Sequence, residues 1–169
     1  MITFHEVIQA RRHMTQFGFL DPGFFSSALY TLEEANEVLS LIHLELRPDD
    51  LRARGAEARD KMDKELAQVV FMAFSCLAHC GSKIVTVEYD RREPKYSNLT
   101  IGLQMVEDAL EMVRHANSGS VRSVEMHATE VIAWAYLLAD RYNADISKAL
   151  WAWLSSIKEK ASGTKYQPS

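Results

Sequence analysis

Apolar residues recur at helical spacing along most of the chain, and six segments separate at the breaks. Phe4, Val7, Ile8 and Met14 mark one face of a first helix over Phe4–Phe17, closed by Phe17-Gly18 and the turn signal Asp21-Pro22-Gly23. A second helix is expected to open there, with Asp21 as N-cap and Pro22 at its first position, and to run to about Leu46, where Arg47-Pro48-Asp49-Asp50 breaks it. A charged stretch through Arg59 leads to a third helix, Lys61–Cys80, whose body Val69-Val70-Phe71-Met72-Ala73-Phe74 is apolar throughout and whose C-cap is Gly81. The least helical part is 84–98: Ile84-Val85-Thr86-Val87 has strand propensity, and Asp90 to Lys95 is a charged connection. A fourth helix, Thr100–Ala116, stops at Asn117-Ser118-Gly119-Ser120, and Val121–Tyr142 and Ile146–Lys160 complete the set. These elements predict an all-α fold, a helical bundle of about six helices in a single domain over 1–169.

The second helix departs from a simple amphipathic pattern. Ala28, Leu32, Ala35, Leu39 and Ile42 form its apolar arc, yet Glu34 and Glu37 lie beside that arc on a row that turns apolar again at Leu41 and Leu44. Acids on a packing ridge need a partner, and a metal ion is one candidate. A local alternative is a capping box, Thr31-x-x-Glu34, in which Glu34 serves only the start of a helix.

The two halves echo one another. Leu32-Glu33-Glu34-Ala35-Asn36-Glu37-Val38-Leu39 aligns with Val106-Glu107-Asp108-Ala109-Leu110-Glu111-Met112-Val113, and Glu65-Leu66-Ala67-Gln68 with His127-Ala128-Thr129-Glu130. Shared helical periodicity alone produces such matches. The alternative is a duplication, with pseudo-repeat halves 20–82 and 99–160 joined by a linker over 83–98.

Composition narrows the function classes. With 47% hydrophobic and 25% charged residues the chain is globular, and at 169 residues one domain buries roughly 70% of its unfolded surface. A net charge of −4 argues against a nucleic-acid backbone binder. There is no apolar run long enough to span a membrane, and Met1 to Glu6 lack the basic-then-apolar order of a leader, so a soluble, cytoplasmic protein is expected. Cys76 and Cys80 lie one helical turn apart and read as reduced packing residues; with His79 they lack the paired hooks of a zinc site. No Glu-x-x-His pair of a di-iron bundle, Gly-rich phosphate loop or nucleophile elbow occurs.

The acid pairs carry a resemblance. Leu32-Glu33-Glu34-Ala35-Asn36-Glu37-Val38 and Glu65-Leu66-Ala67-Gln68, with the 27 residues from Val38 to Lys64 between Glu37 and Glu65, resemble the Glu-x-x-Glu and Glu-x-x-Asp helices of the MazG-like all-α nucleoside triphosphate pyrophosphohydrolases, relatives of the dimeric dUTPases. Asp108-x-x-Glu111 and His127-x-x-Glu130 take the same places in the second half, and Leu137 to Ile146 resembles the family's exit from its second acidic helix. The resemblance implies a homodimer, or a single chain imitating one through duplication. It also implies a magnesium site for a nucleoside triphosphate, with a metal-activated water releasing pyrophosphate and a nucleoside monophosphate. Carried over by position, Glu34, Glu37 and Glu65 become the catalytic acids and metal ligands, and Gln68 a neutral oxygen donor. Asp108, Glu111 and Glu130 become the second-half equivalents. The chain departs from the family where Gln68 replaces Asp and His127 replaces Glu, and magnesium uses imidazole poorly. The alternative expectation is a helical binding or structural module that keeps the scaffold without turnover.

Other polar and aromatic residues have quieter readings. Arg91, Arg92 and Lys95 form a solvated charge run or a phosphate cover. His79, His115 and His127 read as hydrogen-bonded histidines of apolar helices, and Trp134, Trp151 and Trp153 as core or interface volume. Phe17, Phe19, Phe24 and Phe25 around the Asp21 turn read as a packed hinge, or as a nucleobase pocket.

Overall fold

In the computed structural model the described residues are 1–16, 18–19, 21–45, 51–84, 86–89 and 96–163, with side chains at 44–45, 51–59 and 158–163 left aside. Six helices follow in order: α1 (Phe4–Gln16), α2 (Gly23–Glu45), α3 (Leu51–His79), α4 (Asn98–Ser118), α5 (Val121–Tyr142) and α6 (Ile146–Gly163). The all-α expectation is met, and no strand occurs among the described residues. Phe17, the side chain of Leu44, the Arg47 to Asp50 break, Val85, and Arg91, Arg92 and Lys95 fall outside them.

α2, α3, α5 and α4 form a ring in which each helix packs on the next, and α1 and α6 lie against α3. Exchanging the α2–α3 and α4–α5 hairpins leaves the ring of four unchanged, but α1 and α6 pack on α3 and not on α5 in the same way. Because α3 is enclosed by α1, α2, α5 and α6, its C-terminal half from Leu66 to Leu77 is apolar nearly all round, and Val69, Val70, Ala73, Phe74, Cys76 and Leu77 are all buried. The outer helix α4 buries one stripe instead, Ile101, Met105, Ala109, Met112 and Ala116, at spacings of three and four. Where α2 and α4 approach, a Cβ on Gly102 would meet Ile42 Cδ1 at 2.9 Å and Leu39 Cδ1 at 3.1 Å, so a larger residue there would require those two methyl groups to move.

The ends follow capping chemistry. Gly81 adopts φ +67° after α3, with Ser82 N–H returning to the Leu77 carbonyl, and Gly119 closes α4 at φ +74°. Ser97 Oγ accepts from the Thr100 N–H and starts α4 two residues before the expected Thr100. α3 begins at Leu51, ten residues ahead of the expected Lys61, because the charged stretch before it is helical. The capping box at Thr31-x-x-Glu34 is corrected: Thr31 lies within α2, is buried, and its hydroxyl donates to the Ser27 carbonyl at 2.8 Å. Glu34 is therefore not a cap.

Residues 86–89 lie against α5 without regular structure. Val87 is buried, Tyr89 Oη donates to Asp140 Oδ2 at 2.7 Å, and just before it Ser82 Oγ donates to Glu125. No helix of the described residues is long and apolar enough to cross a membrane.

Candidate functional site

α2 and α3 run antiparallel, and three contacts fix their register. Cys76 lies against the Phe24 carbonyl, Gln68 Nε2 donates to Glu34 Oε1 at 3.2 Å, and Lys61 Nζ pairs with Glu37 Oε2 at 3.2 Å. Glu34 and Glu65 are therefore brought face to face. Glu65 is 3% exposed and Gln68 7%, so both stand in the wall of the core.

Desolvation, a hydrogen bond with Glu65 and the Glu65 charge together push the Glu34 carboxyl up to about 8, against a small opposing pull from Lys64. The Glu34 carboxyl is thus held toward its protonated form near neutral pH, and Lys64 Nζ lies 3.2 Å from Glu65 Oε1. Gln68 is half satisfied: its amide nitrogen serves Glu34, while its Oε1 is buried without a partner. Glu37 is one turn further along, exposed, and turned to Lys61.

The aligned positions in α4 and α5 also meet. Asp108 Oδ1 lies 2.9 Å from His127 Nδ1, and Asp108 Oδ2 accepts from Trp134 Nε1 at 2.9 Å. His115 stacks on His127 with centroids 5.6 Å apart, and Glu111 faces Arg114 and His115. Glu130 is exposed and lines a shallow cleft with Arg122 and Glu125 instead. Of the second-half residues carried over from the resemblance, Asp108 and His127 are brought together, while Glu111 and Glu130 have other neighbours.

Among the described residues no three His, Cys, Asp or Glu side chains gather in a way that could hold a metal ion by themselves. Cys76 and Cys80 are both free thiols, and His79 turns away from them to Asp21 Oδ1 at 2.9 Å.

Two features escaped the sequence reading. One is the bond from Trp134 to Asp108, although the spacing of His127 and Trp134, two turns apart, was a usable signal. The other is a cluster at the α1–α2 turn, where Arg11 pairs with Asp21 and Asp21 takes His79. Burial alone would raise the Asp21 carboxyl, but the Gly23 N–H and the Arg11 guanidinium outweigh it and hold it below its ordinary value.

Compared with known proteins, the chain matches no family model, no curated protein and no solved structure.

Proposed function

We propose that the α2–α3 seam is a magnesium-dependent nucleoside triphosphate pyrophosphohydrolase site of the MazG type, and that the α4–α5 seam is structural. One observation carries the reading: the partly buried Glu34 faces the buried carboxylate of Glu65 beside the unpartnered Oε1 of Gln68, and this crowding raises the Glu34 carboxyl far above its ordinary range. A divalent cation would replace the Glu34 proton and remove the repulsion between two carboxylates. The donor set suits magnesium, which commonly takes one or two carboxylates and completes its shell with water and substrate phosphates. Bound with a triphosphate, magnesium supplies phosphate neutralisation and an acidified water. Within the chain, Glu34 and Glu65 would hold it, Gln68 would orient Glu34, and the half-exposed Lys61 and Lys64 would face phosphate oxygens at the rim.

Magnesium titrated near pH 7 in buffers of different ionisation enthalpy should release about one proton. Pyrophosphate release should then appear on a panel of canonical and modified nucleoside triphosphates. Glu34→Gln and Glu65→Gln should abolish both while leaving the helical circular dichroism intact. A flat panel with magnesium and manganese both tried would remove the catalytic reading, and a chain that binds no magnesium would remove the site.

A second reading, a helical binding or structural module, is favoured by Lys61 on Glu37 and Lys64 on Glu65, which balance these charges internally. On that reading magnesium leaves the melting temperature unchanged.

A further inference from the structure

A cavity of about 340 Å³ opens where α1, the turn after it, α2 and α3 meet. Its apolar walls are Met14, Phe19, Pro22, Tyr30, Phe71 and Met72. Phe71 is 3% exposed and braced from behind by Trp153, whose ring meets it edge-on at 5.5 Å, so that wall is fixed by packing. Tyr30 stands half-exposed at the mouth, an amphipathic ring where apolar interior meets water.

The polar lining limits the ligand's charge. Arg11 and Asp21 are paired with one another across the cavity edge, so an anion would have to displace Asp21 and a cation would have to displace Arg11. Ser75 also lines the cavity, and its hydroxyl is buried with no hydrogen-bond partner. Its carbonyl, by contrast, accepts from Arg11 at 3.4 Å. A buried hydroxyl left unpaired is costly, and a ligand group that reaches it removes the cost.

We infer that this cavity binds a small uncharged aromatic molecule bearing one hydrogen-bonding group, of the phenol or indole kind. The volume lies at the lower end of small-molecule sites, enough for one ring or two fused rings. Three aromatic side chains and two thioethers favour a ring over an aliphatic chain. The compensated Arg11–Asp21 pair favours a neutral ligand, the Thr15 hydroxyl on the lining already donates to the Arg11 carbonyl, and Ser75 provides the buried polar anchor that lacks a partner. The site is separate from the acid pair: Tyr30 lies one turn before Glu34 on α2, and Met72 one turn beyond Gln68 on α3.

Phenol, indole and toluene titrated into the full chain, followed by amide chemical shifts and melting temperature, test the inference. Phenol and indole should bind saturably and raise the melting temperature. Met72→Trp should fill the cavity and abolish binding of all three probes. Ser75→Ala should weaken phenol about tenfold with toluene unchanged, while the protein stays at least as stable because an unsatisfied group has gone. Glu34→Gln should leave every probe unaffected, which keeps this result independent of the metal reading. The inference is overturned if no probe saturates, if binding ignores Met72→Trp, or if Ser75→Ala weakens phenol and toluene alike. A nucleoside triphosphate that displaces phenol better than its uncharged nucleoside would also overturn it, by assigning the cavity to a charged ligand.

Discussion

The α2–α3 and α4–α5 seams place polar side chains at corresponding turns, yet the chemistry that meets there differs. In the first, Glu34 faces Glu65, two acids that cannot both ionise comfortably out of water. In the second, Asp108 faces His127, an acid and a base, and the indole of Trp134 takes the other carboxylate oxygen. Helix register decides which residues meet. The identity of the partner decides whether the meeting is satisfied within the chain or stores an unmet demand for a proton or a cation. The α4–α5 pair is satisfied by its own neighbours, whereas the α2–α3 pair sets acid against acid and leaves Gln68 Oε1 without a partner.

His127→Glu should have the largest effect, because it rebuilds the first seam's problem in the second. Asp108 and the new carboxylate would face one another in a half-buried contact, with Trp134 the only donor left from the original network. Above neutral pH the variant should lose about 3 kcal/mol, seen as a drop of roughly 6–12 °C in melting temperature. The loss should shrink on acidification as one carboxyl takes up a proton. A pH-independent loss would break the equivalence of the two seams. Asp108→Asn is the milder cut. It keeps one acceptor oxygen but loses the charge that strengthens both bonds, and about 1–2 kcal/mol should go, or roughly 3–6 °C.

Glu34→Gln should act in the opposite direction. In the native chain Glu34 holds its proton up to about 8, while in the unfolded chain it releases it near the ordinary value of 4.5. Across that window the folded state binds more protons, so stability is full at low pH and falls as pH rises, by up to about 1.4 kcal/mol per unit. The substituted amide needs no proton to stay neutral and can donate to Glu65 while accepting from Gln68. Counted in full the shift would amount to about 4 kcal/mol between pH 5 and pH 9, but Glu34 is only partly buried and water screens part of it, so the variant should come close to the native protein at pH 5 and exceed it at pH 9 by about 2 kcal/mol in urea denaturation. A variant that is less stable at both pH values would show that the carboxyls are not paired as described.

The helix order and most of the breaks were legible because periodicity and the capping glycines Gly81 and Gly119 are local signals. The start of α3 was not, since a charged stretch carries no apolar stripe from which to read a helix. Thr31-x-x-Glu34 misled because the capping pattern also arises inside a helix whose threonine bonds back to the preceding turn. At the site, the acidic ridge on α2 did signal a polar partner, and aligning the halves put Glu34 with Asp108 and Glu65 with His127. Sequence could not tell that Glu37, three residues from Glu34, would turn outward. That depends on the crossing of α2 and α3, which places Lys61 within reach of Glu37 and Gln68 within reach of Glu34. The cavity beside Ser75 was also beyond sequence, because it is a gap between three helices rather than a property of any one of them.

Glu37→Gln carries the smallest expected effect and sharpens the comparison most cheaply. Glu37 and Lys61 form an ion pair at 3.2 Å with both side chains about half exposed, a setting in which water screens most of the attraction. Stability should change by less than about 0.5 kcal/mol at any pH. Magnesium affinity should change by no more than about twofold, because the lost charge acts only through solvent at the edge of the seam. A tenfold loss would mean that Glu37 leaves Lys61 to join Glu34 and Glu65, giving the α2–α3 seam a third acid at the turn where the α4–α5 seam has Glu111 facing Arg114 and His115.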